Sequence, residues 1–233
     1  LSAIMYKKVI MKARNGMKQY DYILFDLDGT ITDPGIGITN SVIYALKKYG
    51  INVADRTQLY KFIGPPLLDS FEKFYGFSKE ESKKAVDYYR EYYAKKGIFE
   101  ADVYEGLEEL LQKLLAIGKT LIVATSKPEL FAVQVLKHYG LDHYFTYIAG
   151  SNFDETRTNK AEVITYALET CNITDKEKIV MVGDREHDMI GATTVGIDAI
   201  GVLFGYGSRE ELENARATYI AENVEDIYKF IHN

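Results

Sequence analysis

Short apolar runs separated by stretches of helical spacing constrain this chain more than any other feature. They fall at Tyr22 to Phe25, Thr120 to Ala124, around Tyr144 to Ala149, Lys178 to Val182 and Ala199 to Leu203. Runs with no apolar–polar alternation read as strands buried on both faces, which is the habit of parallel sheets. The stretches Leu107 to Ile117, Glu129 to Tyr139, Lys160 to Cys171 and Asp188 to Val195 repeat their apolar residues at helical spacing, with Gly118, Gly140 and Gly196 standing as stops. Parallel strands need long crossovers, and helices supply them. The pattern therefore predicts an α/β fold, a Rossmann-like doubly wound parallel sheet flanked by helices.

Between Asp33 and about Tyr104 the strand pattern stops. Helices are expected there at Asn40 to Tyr49, Arg56 to Phe62, Leu67 to Tyr75 and Ser78 to Lys96, which makes an inserted all-α cap. Ser78 followed by Glu81 has the spacing of a capping box. Tyr88, Tyr89, Tyr92 and Tyr93 recur at i, i+4 and read as a half-buried packing stripe rather than as the lining of a cavity. The expected division is an N-terminal extension over 1–16 with Met17 as a natural start, a core of 17–35 and 105–233, and a helical cap over 36–104.

A chain of 233 residues with 47% hydrophobic side chains can bury a sizeable core, so disorder is not expected. Its net charge of -6 argues against a nucleic acid polymer or an anionic membrane as partner. No apolar run approaches the ~20 residues of a membrane span. A single cysteine, Cys171, excludes an intramolecular disulfide and fits a reducing, cytoplasmic setting. A monomer or a homodimer is equally compatible with the sequence.

Polar clusters follow several of the predicted strands: Asp26 and Asp28 after the first, Thr125 and Ser126 after the second, Asp184 and Asp188 after the fourth. In an open parallel sheet ligands bind beyond the carboxyl ends of the strands, so these separate stretches converge on one crevice. Gly29 lets the chain bend close to that crevice. Asp26, Asp28 and Asp184 would repel one another in a partly buried pocket unless a hard cation sat among them, and an all-oxygen ligand set selects Mg²⁺.

Asp26-Leu27-Asp28-Gly29-Thr30 resembles the first motif of the haloacid dehalogenase superfamily. Thr125 in Val-Ala-Thr-Ser-Lys-Pro resembles the second, Lys160 in Arg-Thr-Asn-Lys-Ala the third, and Gly183-Asp184-Arg-Glu-His-Asp188 the fourth. The insert after the first motif is similar to the cap of the phosphoglycolate phosphatase, 5'-nucleotidase and β-phosphoglucomutase branch. The resemblance implies a phosphatase acting on a small phosphorylated metabolite such as phosphoglycolate or a nucleoside monophosphate. It implies that Asp26 is the nucleophile and forms an aspartyl-phosphate, while Asp28 serves as acid and then base. It further implies metal ligation by the Asp26 and Asp184 carboxylates and the Asp28 carbonyl. Thr125, Ser126, Lys160 and Gly29 would bind the phosphoryl group, Asp188 would hold Lys160 or a metal-bound water, and Arg157 would reach the distal part of the substrate. Lys127, next to Pro128, reads as a residue at a helix start.

Hydrolysis is favoured over three rival readings, of which a phosphomutase is the nearest. A phosphomutase shares the fold and the covalent step and differs only in the acceptor. A dehalogenase would have no use for Asp28. A non-enzymatic phosphate-binding regulator would not need the intact set Asp26, Asp28, Lys160 and Asp184.

Overall fold

The computed structural model describes residues 18–154 and 156–232; the expected extension over 1–16 lies outside them. Strand β1 (Tyr22–Phe25) leads into a two-residue strand β2 (Thr32–Asp33). The insert follows, with helix α1 (Gly35–Lys47), a 3-10 helix at Arg56–Phe62, α2 (Leu67–Tyr75) and α3 (Lys79–Tyr93). It closes through β3 (Asp102–Val103), which pairs antiparallel with β2, Thr32 opposite Val103. The chain thus leaves and rejoins the core through one small ladder. Then come α4 (Leu107–Ala116), β4 (Thr120–Pro128), α5 (Glu129–His138), β5 (Tyr147–Ser151), α6 (Lys160–Thr170) and β6 (Ile179–Gly183). The remainder is α7 (Glu186–Val195), β7 (Asp198–Val202), α8 (Arg209–Asn214), β8 (Tyr219–Ala221) and α9 (Val224–His232).

The large sheet runs β5-β4-β1-β6-β7-β8 and every pairing in it is parallel. From β1 the chain winds outward to β5, returns to lie beside β1 as β6, and winds outward on the other side. The order reverses between β1 and β6, whose carboxyl ends are level: Phe25 pairs with both Val123 and Val182. That reversal opens the crevice.

Side chains of β1 alternate between two cores. Ile23 and Phe25 join Leu107, Leu110, Leu111 and Leu114 of α4 and Ile227 and Ile231 of α9 on one face. Leu24 joins Val163 and Ile164 of α6 and Met189 and Ala192 of α7 on the other. Each fully buried side chain of this size stabilises the fold by about 1.5–3 kcal/mol, so a polar residue inside β1 would be disruptive on either face. Gly118, Gly140 and Gly196 adopt φ of 78°, 68° and 85°, as expected of helix stops.

The insert packs its own aromatic cluster, with Phe62 against Phe71 at 5.1 Å and Tyr49 against Phe77 at 4.6 Å. The Ser78–Glu81 capping box is formed. Several expectations shift in detail. Arg56–Phe62 is a 3-10 helix, α3 ends at Tyr93, and β5 begins at Tyr147 because Asp142–Tyr144 forms a 3-10 turn. No helix among the described residues is long and apolar enough to cross a membrane.

Candidate active site

Because β4, β1 and β6 are neighbours, Thr125, Asp26 and Asp184 emerge side by side at their carboxyl ends. The Asp26 amide donates to the Val182 carbonyl at 2.9 Å, which keeps Asp26 in sheet register. Beyond these ends lies a cavity of about 290 Å³ between core and insert. Asp26, Asp28, Thr125, Ser126 and Lys127 line its core side, and Phe62, Leu67, Val86, Tyr89 and Tyr93 line the insert side.

Asp26, Asp184 and Asp188 are all buried, and each offers a carboxylate oxygen within 4.8 Å of the others. Among the described residues one cation meets this group. Lys160 Nζ, also buried, stands 2.8 Å from Asp26 Oδ1 and 2.8 Å from Asp188 Oδ1 and donates to the Ala124 carbonyl at 3.2 Å. Burial works against a charged Lys160, yet the Asp188 and Asp26 carboxylates win and hold its pKa above the ordinary lysine value. Burial and the charges of Asp188 and Asp26 push the Asp184 carboxyl well above the usual range. Burial, opposed by Lys160 and reinforced by Asp26, pushes Asp188 up to about 6. Asp184 Oδ2 accepts from the Tyr206 amide at 2.8 Å, whereas its Oδ1 is buried with no partner among the described residues. Three acidic groups against one ammonium, with an orphaned carboxylate oxygen among them, are a donor set suited to a hard divalent cation.

The backbone around Asp184 leaves no spare volume. A Cβ on Gly29 would strike the Asp184 carboxylate, one on Gly205 would strike the Gly29 carbonyl and Asp184, and one on Gly207 would strike the Asp184 carbonyl. Gly29 also needs its φ of 86°. Its amide donates to the Thr32 carbonyl at 2.7 Å, so Gly29 serves the turn and the close approach to Asp184. The Tyr206 hydroxyl reaches the Asp33 carboxylate at the start of the insert, tying the same loop to β2.

Asp28 is not part of that acidic group. Its Oδ2 lies 2.6 Å from Lys127 Nζ, and burial pushes the carboxyl up despite that cation. Thr125 Oγ1 accepts from the Lys127 amide at 3.2 Å, which leaves the hydroxyl proton free to donate into the cavity. Ser126 has its carbonyl held by Ser151 Oγ at 2.8 Å.

Residues 23–202 match the haloacid dehalogenase-like hydrolase family. The chain belongs to that family. A 5'-nucleotidase from Pseudomonas aeruginosa is 45% identical over 206 residues, covering 88% of this chain and 93% of its own length. The crystal structure of a predicted phosphatase from Clostridium acetobutylicum is 48% identical with a TM-score of 0.89, covering 92% of this chain and 99% of that one. A protein named tyrosine-protein kinase PtkA from Mycobacterium tuberculosis is 35% identical over 198 residues, covering 85% of this chain and 67% of its own.

Within this family member, the geometry joins Asp26, Asp28, Thr125, Ser126, Lys160, Asp184 and Asp188 at one cavity or its floor. Arg157 is not among the residues lining the cavity. Its guanidinium donates to the Gly150 carbonyl at 2.8 Å and to Asn152 Oδ1 at 3.0 Å and lies over the Tyr166 ring, so it braces the loop after β5. The tyrosine stripe of α3 divides. Tyr89 and Tyr93 are buried and line the cavity, and Tyr88 and Tyr92 pack against Tyr49 and Tyr44 of the insert. Lys127 is more than a residue at a helix start, because among the described residues it carries the one cation in contact with Asp28. No sequence pattern signals this pairing, because Asp28 lies almost a hundred positions away at the end of another strand.

Proposed function

We propose that this phosphatase hydrolyses a small phosphomonoester through an aspartyl-phosphate on Asp26, with Mg²⁺ as cofactor. The observation that carries the reading is the buried group Asp26, Asp184 and Asp188, its oxygens within 4.8 Å, against the single ammonium of Lys160. The Asp26 and Asp184 carboxylates and the Asp28 carbonyl would hold the cation. When bound, Mg²⁺ supplies positive charge that lets a phosphate dianion approach these carboxylates.

Asp26 attacks phosphorus, and the bond from phosphorus to the leaving oxygen breaks. Asp28, whose carboxyl burial pushes up, gives its proton to that oxygen. Water then attacks the phosphorus of the aspartyl-phosphate and passes a proton back to Asp28, releasing inorganic phosphate and restoring Asp26. Lys160 neutralises Asp26 and Asp188 and steadies the attacking carboxylate. The Thr125 hydroxyl and the Ser126 amide donate to the phosphoryl oxygens that move during transfer.

The aromatic lining of the cavity, with Phe62, Tyr89 and Tyr93 from the insert and Phe131 from the core, supports a nucleoside monophosphate as the substrate class, with the nucleoside as leaving group. Arg90 supports phosphoglycolate as a second reading. It lines the cavity over Phe153 without an ion pair among the described residues, so it could receive a carboxylate. Phosphate release with Mg²⁺ over a panel of nucleoside monophosphates, phosphoglycolate, sugar phosphates and pyrophosphate tests both. A higher kcat/KM on nucleotides than on phosphoglycolate, kept in Arg90→Ala, favours the first; a higher kcat/KM on phosphoglycolate, lost in Arg90→Ala, favours the second. Full turnover in EDTA would overturn the metal assignment.

A further inference from the structure

Lys127 follows Thr125 and Ser126 at the end of β4, and its side chain is only 5% exposed. Its Nζ stands 2.6 Å from Asp28 Oδ2 and donates to Tyr93 Oη at 2.5 Å. The same ammonium lies 4.8 Å from the centroid of the Tyr93 ring. Tyr93 is the last residue of α3, in the insert, stacked on Tyr89 at 5.3 Å and edge-on to Phe131 at 5.4 Å. One cation therefore joins the carboxyl after β1, the end of β4 and a helix of the insert, in a place from which water is largely excluded.

Stability alone does not account for this arrangement. A buried ion pair is often no more stabilising than apolar groups of the same volume, and a phenylalanine ring would stack as Tyr93 does. Among the described residues the Tyr93 hydroxyl has no hydrogen bond other than that from Lys127. A lysine stem is flexible and its ammonium has three donors. Fixing one donor on Tyr93 fixes the direction from which another reaches Asp28.

We propose that Lys127 and Tyr93 are positioning residues: Tyr93, brought by the insert, holds the Lys127 ammonium, and Lys127 holds Asp28 Oδ2 so that the other oxygen serves the leaving group and the water. The acid–base carboxyl is then ordered only when the insert is docked on the core, which couples proton transfer to closure over the substrate. This rests on the acid–base reading of Asp28 given above.

The test compares Tyr93→Phe, Lys127→Met, the double variant and Asp28→Asn on a nucleoside monophosphate and on p-nitrophenyl phosphate, with pre-steady-state bursts and thermal melts. An aryl phosphate leaves without needing a proton, so the burst phase isolates attack by Asp26. Both single variants should lose about tenfold in kcat on the nucleotide, with KM changed less than about threefold and the p-nitrophenol burst rate kept within about twofold. The double variant should be no worse than the poorer single one, because Tyr93 acts through Lys127. Unchanged kcat, equal losses of burst rate and nucleotide kcat, or additive losses would each overturn the proposal. Should Lys127→Met fail to fold, Tyr93→Phe alone must produce the leaving-group split, and its absence refutes the proposal. Asp28→Asn separates the two readings. If it does not discriminate between the substrates, the acid–base role of Asp28 fails. If it does and the positioning variants do not, only this inference fails.

Discussion

Removing one charge from the acidic group should stabilise the protein while abolishing its response to metal. Asp184 is fully buried, and its carboxylate lies within 4.8 Å of those of Asp26 and Asp188. At an effective dielectric of ~20, unit charges at that separation repel by about 3 kcal/mol, and Asp184 faces two of them. Lys160 meets Asp26 and Asp188 but makes no ion pair with Asp184. Part of the repulsion is avoided by proton uptake, since the Asp184 pKa is raised, so a net gain of about 1–3 kcal/mol is expected for Asp184→Asn in EDTA at pH 8. The asparagine oxygen can still accept from the Tyr206 amide. For a chain of this size that gain raises Tm by about 2–12 °C. A carboxyl whose pKa is raised on folding is costliest when ionised, so the penalty is absent below the unfolded pKa, grows as pH rises from there towards the folded one, and is full above it. The difference between variant and wild type should accordingly shrink in acid. Mg²⁺ at a hundred times its Kd should stabilise the wild type by about 2.7 kcal/mol and leave the variant unmoved. Differential scanning calorimetry at pH 8 and pH 5, in EDTA and in Mg²⁺, measures all four conditions. A variant that melts below the wild type in EDTA at pH 8, beside a wild type indifferent to Mg²⁺, would show that the three carboxylates neither repel one another nor hold a cation.

Lys160→Met should strand Asp26 and Asp188 without their cation, lowering stability by about 3–5 kcal/mol; chemical denaturation with unchanged Cm would contradict the buried pairing. Gly205→Ala should cost about 1–3 kcal/mol and weaken Mg²⁺ binding, because the added methyl strikes the Gly29 carbonyl and Asp184; a titration by calorimetry with wild-type affinity would count against the cradle. Arg185 donates to the Ile63 carbonyl of the insert at 2.5 Å and pairs with Glu211 at 2.8 Å. Arg185→Ala should loosen docking and raise KM about tenfold for a nucleotide more than for p-nitrophenyl phosphate, and equal changes would argue against a role in closure.

The parts of the fold that the sequence makes legible are those decided by continuous burial. β1, β6, the Leu121 to Ala124 stretch of β4 and the Ala199 to Val202 stretch of β7 are continuously apolar because helices cover both faces, and their positions follow from that. β8 at the sheet edge has three residues, Tyr219–Ala221, and β2 and β3 have two each, too few for any period to register. Arg56–Phe62 has helical composition, but a single short stretch between turns settles into the tighter 3-10 form. In the site, Asp26, Thr125 and Asp184 are readable because strand ends in an open sheet converge. Lys127 and Tyr93 are not, since their meeting depends on how the insert docks, and an i, i+4 tyrosine pattern supplies two adjacent faces without saying which one turns to the cavity.

Covalent chemistry at Asp26 is the step from which the other roles in the site follow. Mixing Asp28→Asn with p-nitrophenyl phosphate and Mg²⁺, quenching in acid and measuring intact mass should reveal one added phosphoryl group, because attack proceeds while the second step lacks its base. Peptide mapping should locate the group on Asp26, and Asp26→Asn should gain none under the same conditions. An adduct on Asp26→Asn, or on any other residue of Asp28→Asn, would contradict the assignment of Asp26 as the nucleophile.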